Sequence, residues 1–179
     1  MTEKHLDRLE LGCGVNQTPG YLHNDINPFD GVDIVGNPWD IDLPDHSMKE
    51  VIALGLMEYL TYQQFSMTLD KVRRLLEPGG IFLFDVPDIP VWCRYVVDHF
   101  DGKPIPFSID HVFCTLYGWQ RWPGDEHKSG WYREKLDQAL NTAGFTETRY
   151  GLQPFEERSI ARRRMARPHD AHLYCQTRA

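Results

Sequence analysis

The sequence of 179 residues contains no apolar run long enough to span a membrane. Its first residues, Met1 to His5, lack the apolar core of a signal peptide. We therefore expect a soluble, cytoplasmic protein. The sequence also has no internal repeat and no low-complexity linker, and its length fits one domain with one buried core.

Paired cysteine spacing is also absent. The four cysteines are Cys13, Cys93, Cys114 and Cys175, and none lies close to another. This scatter excludes a zinc site or disulfide framework of the familiar spacings, so we expect reduced thiols and no metal.

Positive charge is scarce, since the formal net charge is −7. This balance argues against nucleic acid or an anionic membrane as a partner. One local exception lies near the C-terminus, at Arg158, Arg162, Arg163, Arg164 and Arg167. These arginines could form a phosphate-binding patch or a solvated surface. A run of like charges is more often a solvated surface.

The most informative stretch is Leu9 to Gly14, in which apolar residues run into a Gly-x-Gly turn. This pattern predicts a buried strand that ends where the backbone approaches a ligand closely. A second strand, Tyr21 to Asp25, ends in a carboxylate. Because neighbouring parallel strands end at the same edge of a sheet, the turn and Asp25 should line one crevice, where nucleotide-like ligands bind in α/β folds.

The following residues alternate between strand and helix patterns. Apolar residues at helical spacing predict a helix from Thr61 that ends at Pro78 to Gly80. The predicted strands of this first part are Leu6 to Leu11, Tyr21 to Asp25, Val32 to Val35, Val51 to Leu54 and Ile81 to Val86. Only a short loop, Val15 to Gly20, joins the first two strands, which is too short for a crossover helix.

Regular periodicity is lost between Pro87 and Lys128, where aromatic residues and prolines are frequent. We interpret this segment as an irregular lid or binding region on the substrate side. A helix should follow from about Ser129, with Tyr132 on its buried face and Gly144 at its end. Two final strands, residues 145–151 and 171–177, should form an antiparallel end to the sheet.

Three motifs in this order resemble the class I S-adenosylmethionine-dependent methyltransferases. They are Leu9 to Gly14, the acid Asp25 at the end of the second strand, and Arg74 to Gly80 ahead of Ile81. The short glycine loop is similar to that of a compact subgroup of the family. The resemblance implies a Rossmann-like methyltransferase fold of the α/β class, with a mostly parallel sheet, an antiparallel C-terminal end and helices on both faces.

The resemblance further implies one methyltransferase domain over residues 1–179. Its cofactor half would cover about 1–87, the substrate or lid segment about 87–128, and the C-terminal helix and strands 129–179. The family usually has a helical segment ahead of the first motif, whereas about eight residues precede it here. The site is therefore either open or completed by a partner chain, and our hypothesis is a homodimer.

The implied cofactor is S-adenosylmethionine, whose amino acid tail, ribose and adenine need different contacts. Gly12 and Gly14 would let the backbone approach the tail, and Glu10 would support its ammonium group. Asp25 would accept hydrogen bonds from the ribose hydroxyls. Alternatively, Asp25 caps a turn with Asn27 and Pro28.

The residue expected to contact the adenine departs from the family pattern, because Asn37 occupies a position where the family usually has an acidic residue. The side-chain amide of Asn37 would have to accept the hydrogen bond from the exocyclic amine of the adenine. Trp39 either stacks on the base or belongs to the core. The full set of residues that the resemblance implies for the cofactor is Glu10, Gly12, Cys13, Gly14, Asp25, Ile26, Asn37, Pro38, Trp39, Gly55 and Leu56. Tyr59 replaces the usual histidine of the segment after the fourth strand.

Methyl transfer depends mainly on positioning, but a hydroxyl acceptor needs a base. The candidates are His127, His111 and Asp88, the first two in the aromatic segment and the third after the Ile81 to Val86 strand. Each has a structural alternative, since both histidines could serve packing or lie on the surface, and Asp88 could cap a turn beside Pro87 and Pro90.

Three functions are consistent with these residues. The favoured one is methyl transfer to a small molecule, at a hydroxyl of a saccharide or other metabolite. The alternatives are an RNA or protein methyltransferase that uses the arginine cluster, and a non-catalytic cofactor-binding module. A nicotinamide dehydrogenase is disfavoured, because the turn at Gly12 and Gly14 lacks the third glycine of that fingerprint.

Overall fold

The computed structural model describes residues 7–153 and 171–179. Within these ranges the strands are β1 (Arg8–Leu11), β2 (Leu22–Asp25), β3 (Ile34–Val35), β4 (Met48–Ala53), β5 (Leu76–Pro87), β6 (Thr146–Tyr150) and β7 (His172–Arg178). The α-helices are α1 (Tyr62–Leu75), α2 (Ile89–Phe100), α3 (Ile109–Tyr117) and α4 (Arg133–Thr142), and a 3-10 turn spans Met57–Tyr59. No helix in the described ranges combines the length and apolarity needed to cross a membrane.

The strands form one sheet in the order β3-β2-β1-β4-β5-β7-β6. Strand β1 pairs in parallel with β2 on one side and with β4 on the other, so that Leu9 lies beside both Leu22 and Val51. Strand β7 is antiparallel to both β5 and β6. The predicted mostly parallel sheet with an antiparallel C-terminal end is therefore confirmed, and the carboxyl ends of β1, β2, β4 and β5 meet at one edge.

The main core lies between the sheet and two helices. Alternate residues of β5, including Phe82 and Phe84, face the apolar stripe of α1 and the buried residues of α4, as the two-residue period of a strand requires. The rings of Phe65 and Trp131 lie 4.0 Å apart within this core. The opposite face of the sheet buries a smaller cluster, formed by Tyr21, Ile52, Leu54, Leu83 and Tyr174.

The segment after β5 is more ordered than the sequence predicted, because α2 and α3 occupy much of it. The prediction of an irregular region is wrong for residues 89–100 and 109–117. Proline 90 lies in the first turn of α2, where its missing N–H costs no hydrogen bond, so it starts the helix and does not break it. The two helices pack around the fully buried Trp92, whose indole N–H donates to the carbonyl of Ala171 at 2.7 Å.

A second difference concerns the start of α4. Tyr132, predicted on the buried face, is 44% exposed, whereas Trp131 is 3% exposed. Tyr132 precedes the first residue of α4 and has an extended backbone. In an extended backbone, successive side chains point to opposite sides. The side chain of Trp131 therefore enters the core, and that of Tyr132 faces solvent.

Helix α1 begins with a reciprocal cap that can be tested. The hydroxyl of Thr61 accepts from the Gln64 N–H at 3.2 Å, and the Gln64 side chain accepts from the Thr61 N–H at 2.9 Å. We expect Thr61→Ala to lower the free energy of unfolding by about 1 kcal/mol, because a donor at the helix start loses its partner. Urea denaturation measures this change.

The matched control is Thr142→Ala at the exposed end of α4, where the hydroxyl bonds only to the Gln138 carbonyl of its own helix. Its effect should stay within about 0.5 kcal/mol. Equal losses in both variants would contradict a capping role for Thr61.

Candidate functional site

A cleft opens where the carboxyl ends of β1 and β2 meet. It encloses about 640 Å³ of space, part of which is open to solvent. Its walls are formed by Gly12, Asn24, Asp25, Ile26, Asn37, Pro38, Trp39, Leu56, Tyr59, Leu60, Gln64, Gly124 and Lys128. Seven of the residues predicted to bind the cofactor are thus brought to one cleft: Gly12, Asp25, Ile26, Asn37, Pro38, Trp39 and Leu56.

The glycine turn shapes one wall for two different reasons. Gly12 has φ +60°, and a Cβ at this position would lie 2.9 Å from Cδ1 of Leu56, which is too close. Gly14 has φ +54°, but a Cβ there would meet no other atom within 4 Å. Gly12 therefore permits close packing against Leu56. Gly14 leaves open space beside it and has a backbone conformation that other residues rarely adopt.

Asp25 fastens this turn to the end of β2. Its carboxylate is 8% exposed and accepts the Gly14 N–H at 2.9 Å and the Asn27 N–H at 2.9 Å. The alternative role predicted for Asp25, capping a turn, is therefore present together with its position in the cleft wall. The Asn27 side-chain amide also donates to Asp25 Oδ1, at 3.3 Å. Because a carboxylate has about four acceptor sites, these three bonds leave room for about one further donor.

Glu10 is fully buried on β1 and holds the next loop. Its carboxylate accepts from the N–H of Thr18 at 2.7 Å and from the Thr18 hydroxyl at 3.0 Å. His23 Nε2 lies 3.6 Å from the same carboxylate. These contacts fix residues 15–20, the short loop that links β1 and β2. The neighbouring Cys13 is buried and donates its N–H to the Asn24 carbonyl at 3.0 Å.

The far wall contains the residues expected near an adenine. The amide of Asn37 donates to Asp40 at 3.1 Å, which orients it, and Pro38 is buried beside it. Trp39 is partly buried against the main core and also lines the cleft, so both interpretations of this residue are consistent with the structure. Asn24 holds the wall together by donating to the carbonyls of Ile34 and Gly36.

The segment after β4 forms the next wall. Gly55 has φ +60° and donates its N–H to Asp85 Oδ1 at 2.9 Å. Tyr59 lines the cleft and its ring lies edge-on to His127 at 4.8 Å. Burial, together with the charges of Glu58 and Asp125, raises the pKa of Tyr59. The phenol therefore stays protonated and can donate at neutral pH.

The three predicted catalytic residues occupy different surroundings. Burial lowers the pKa of His127, so its imidazole is neutral near pH 7, and it touches the cleft through Tyr59. His111 packs in the aromatic cluster of α2 and α3, with its ring 5.0 Å from Phe107. Asp88 precedes α2, and burial followed by the charge of Glu134 raises the pKa of its carboxyl.

Sequence reasoning missed Glu58, which lies in the turn after β4. It is 5% exposed, and its Oε2 has no hydrogen-bond partner among the residues that the structure describes. Burial and then the charge of Asp85 raise the pKa of Glu58 to about 8. An acid in the short segment that follows a buried strand is a signal that was available in the sequence.

Sequence reasoning also missed a pair formed by Asp85 on β5 and His172 on β7. His172 Nδ1 lies 3.1 Å from Asp85 Oδ2. Their partnership depends on the register between two strands that are far apart in the chain, which composition and periodicity do not reveal.

The described residues contain no group of three or more histidine, cysteine, aspartate or glutamate side chains arranged to hold a metal ion. The arginine cluster at Arg158, Arg162, Arg163, Arg164 and Arg167 lies outside the described residues.

Comparison with solved structures identifies the fold. An S-adenosylmethionine-dependent methyltransferase from Archaeoglobus fulgidus matches 99% of this chain and 88% of its own, with TM-score 0.62 and 13% identity. The 1,6-didemethyltoxoflavin-N1-methyltransferase of Burkholderia thailandensis, solved with its substrate and S-adenosylhomocysteine, matches 96% of this chain and 69% of its own, with TM-score 0.58 and 13% identity. The chain therefore has the fold of the S-adenosylmethionine-dependent methyltransferases, as the sequence motifs predicted.

A curated relative gives a closer comparison over part of the chain. The fatty-acid O-methyltransferase of Mycolicibacterium smegmatis is 28% identical over an alignment of 116 positions, and the match covers 50% of this chain and 42% of that protein. The matched region thus spans less than half of the relative. No protein-family model matches the chain.

The raised pKa of Glu58 predicts how stability depends on pH. A carboxyl with an ordinary pKa of 4.5 that rises to about 8 on folding binds its proton more tightly in the folded state. Its contribution is therefore complete below about pH 4.5 and is lost as the pH rises towards 8, with a slope of up to about 1.4 kcal/mol per pH unit.

We expect Glu58→Gln, which stays neutral, to remove this loss. The melting temperature of the variant should rise relative to that of the original protein between pH 5 and pH 8 in thermal unfolding scans. Asp70→Asn, on the exposed side of α1, is the control and should keep a constant difference over this range. A constant difference for Glu58→Gln would show that the Glu58 carboxyl is already ionised in the folded protein.

Proposed function

We propose that this protein transfers a methyl group from S-adenosylmethionine to a hydroxyl of a small molecule, such as a saccharide or another metabolite. The observation that carries the proposal is the cleft in which the glycine turn and Asp25 lie together, at the carboxyl edge of a methyltransferase-type sheet. The names of the structural neighbours and of the curated relative support the same reaction class.

The residues of the cleft fit the proposed cofactor. Open space beside the Gly14 backbone would receive the amino acid tail, and the remaining acceptor capacity of Asp25 would bind a ribose hydroxyl. Asn37 and Trp39 would contact the adenine from the far wall. When bound, S-adenosylmethionine supplies a methyl group already activated by its positive sulfur.

The acceptor would enter beside Tyr59, His127 and Lys128. Tyr59 offers a hydroxyl donor, His127 a neutral imidazole and Lys128 an amine at the cleft wall. The name of the curated relative suggests a second acceptor class, the carboxylate of a fatty acid, which an acceptor screen should include.

Calorimetric titration with S-adenosylmethionine and S-adenosylhomocysteine tests the cofactor. We expect micromolar binding by the original protein and a loss of at least about tenfold in Gly14→Ala, since the added methyl group would occupy space beside the bound tail. Asp25→Ala should also lose affinity, because it removes the proposed ribose acceptor and releases the Gly14 N–H.

Gly102→Ala is the matched control for Gly14→Ala. Gly102 has φ +76° and a Cβ there would also meet no atom within 4 Å, so both variants carry the same backbone strain, roughly 1 kcal/mol. Gly102→Ala should bind within about twofold of the original protein. An original protein that binds neither compound would refute the proposal.

A screen with isotopically labelled S-adenosylmethionine then addresses the acceptor. Methyl glycosides, catechol, glycerol, a fatty acid and RNA represent the candidate classes. We expect label in a hydroxyl-bearing small molecule and none in RNA. Tight cofactor binding without transfer to any of these would instead favour a non-catalytic cofactor-binding module.

A further inference from the structure

We infer that His172, oriented by Asp85, is the base that accepts the proton of the methyl-accepting hydroxyl. This inference rests on the proposed function and adds a catalytic residue that the sequence motifs do not indicate. His172 would contact the acceptor directly, whereas Asp85 would act through His172 and is a positioning residue.

The pair is held by rigid elements. Strands β5 and β7 pair antiparallel, with Asp85 opposite Tyr174 and Pro87 opposite His172. Asp85 and His172 are therefore diagonal neighbours on the same face of the sheet, and His172 Nδ1 lies 3.1 Å from Asp85 Oδ2. Asp85 is 7% exposed, and the His172 side chain is 17% exposed.

Asp85 also connects the pair to the cleft. Its other carboxylate oxygen, Oδ1, accepts the Gly55 N–H at 2.9 Å, and the adjoining residues Leu56 and Tyr59 line the cleft. One carboxylate thus joins the histidine to the segment that forms a wall of the proposed cofactor site.

His172 lies close to two of the residues that sequence reasoning favoured as the base. Burial lowers the pKa of His127, and the proximity of His172 lowers it further. At Asp88, burial and Glu134 raise the pKa of the carboxyl, whereas His172 opposes this effect. His127 and Asp88 are therefore near enough to His172 for its charge to influence their pKa values.

The chemistry of the pair suits a proton acceptor. A carboxylate facing Nδ1 favours the tautomer in which Nδ1 carries the hydrogen and Nε2 carries a lone pair, and it stabilises the imidazolium that forms later. In the transfer, the acceptor O–H bond breaks and its proton goes to Nε2 of His172. The new O–CH3 bond forms as the C–S bond breaks, with the electron pair of that bond remaining on sulfur.

The charges at this position also favour a class of acceptor. Asp85 and the buried Glu58 lie close enough for the charge of Asp85 to raise the Glu58 pKa, so a further negative charge is disfavoured there. A fatty-acid carboxylate is anionic and needs no base. A neutral hydroxyl both avoids the repulsion and requires the base that the Asp85 and His172 pair provides.

Nitrogen-15 NMR of the histidine rings tests the inference without any acceptor. Above neutral pH, the signals that His172→Gln removes should show hydrogen on Nδ1 and none on Nε2. In Asp85→Asn the amide can donate to Nδ1, so the hydrogen should move to Nε2. Addition of S-adenosylhomocysteine should shift the His172 signals and leave those of the exposed His99 unchanged.

Transfer to the hydroxyl acceptor from the screen gives a second readout. We expect His172→Gln to lower kcat by about 100-fold or more while the Kd for S-adenosylhomocysteine stays within about threefold. Asp85→Asn should lower kcat by about tenfold or more, because it selects the wrong tautomer. His99→Asn, a surface histidine on α2, is the control.

The two proposals fail in different ways. Absence of S-adenosylhomocysteine binding refutes the proposed function, whereas the inference about His172 is overturned by hydrogen on Nε2 in the original protein. It is also overturned if His172→Gln transfers methyl groups at the original rate, or if His127→Gln alone abolishes transfer. If no acceptor in the screen is methylated, the NMR results alone test the inference. Hydrogen on Nδ1 of His172 and a shift of its signals with S-adenosylhomocysteine would support it, and the absence of either would overturn it.

Discussion

Parallel pairing of β1 with β2 on one side and β4 on the other is the constraint on which the candidate site depends. Because parallel strands end at the same edge, it brings the glycine turn, Asp25 and the segment after β4 together. The hydrogen bond from the Gly14 N–H to Asp25 then sets the position of the turn relative to β2. Gly12 of this turn and Asp25 then line the same cleft.

The short connection between β1 and β2 must be stabilised without a helix. Where a crossover helix would normally stabilise a parallel pair, residues 15–20 form a loop, and buried polar groups hold it in place. The Glu10 carboxylate takes both donors of Thr18, and His23 contacts the Thr18 carbonyl at 2.9 Å. Glu10, the acid of the first motif, therefore stabilises the loop between β1 and β2.

Electrostatics also organise the carboxyl edge of the sheet around Asp85 and Glu58. Asp85 is stabilised by the Gly55 N–H and by His172, whereas Glu58 lacks a partner for Oε2 among the described residues and has a raised pKa. Burial is the main cause of the raised Glu58 pKa, and the charge of Asp85 adds to it. A buried carboxyl with a raised pKa is typical of sites that move protons, and it is consistent with a neutral acceptor.

The sequence by itself determined the class of fold, the positions of the main strands along the chain and the glycine turn with Asp25, because strand and helix periods and turn residues are local signals. It located α1 and the final antiparallel strands, but it failed at α2 and α3, where apolar residues on several sides hide the helical period. Only the tertiary structure decided that Trp131 and not Tyr132 enters the core. Likewise, only strand register placed Asp85 beside His172, and only burial raised the pKa of Glu58. Register and burial arise from contacts between residues far apart in the chain, which no local pattern encodes.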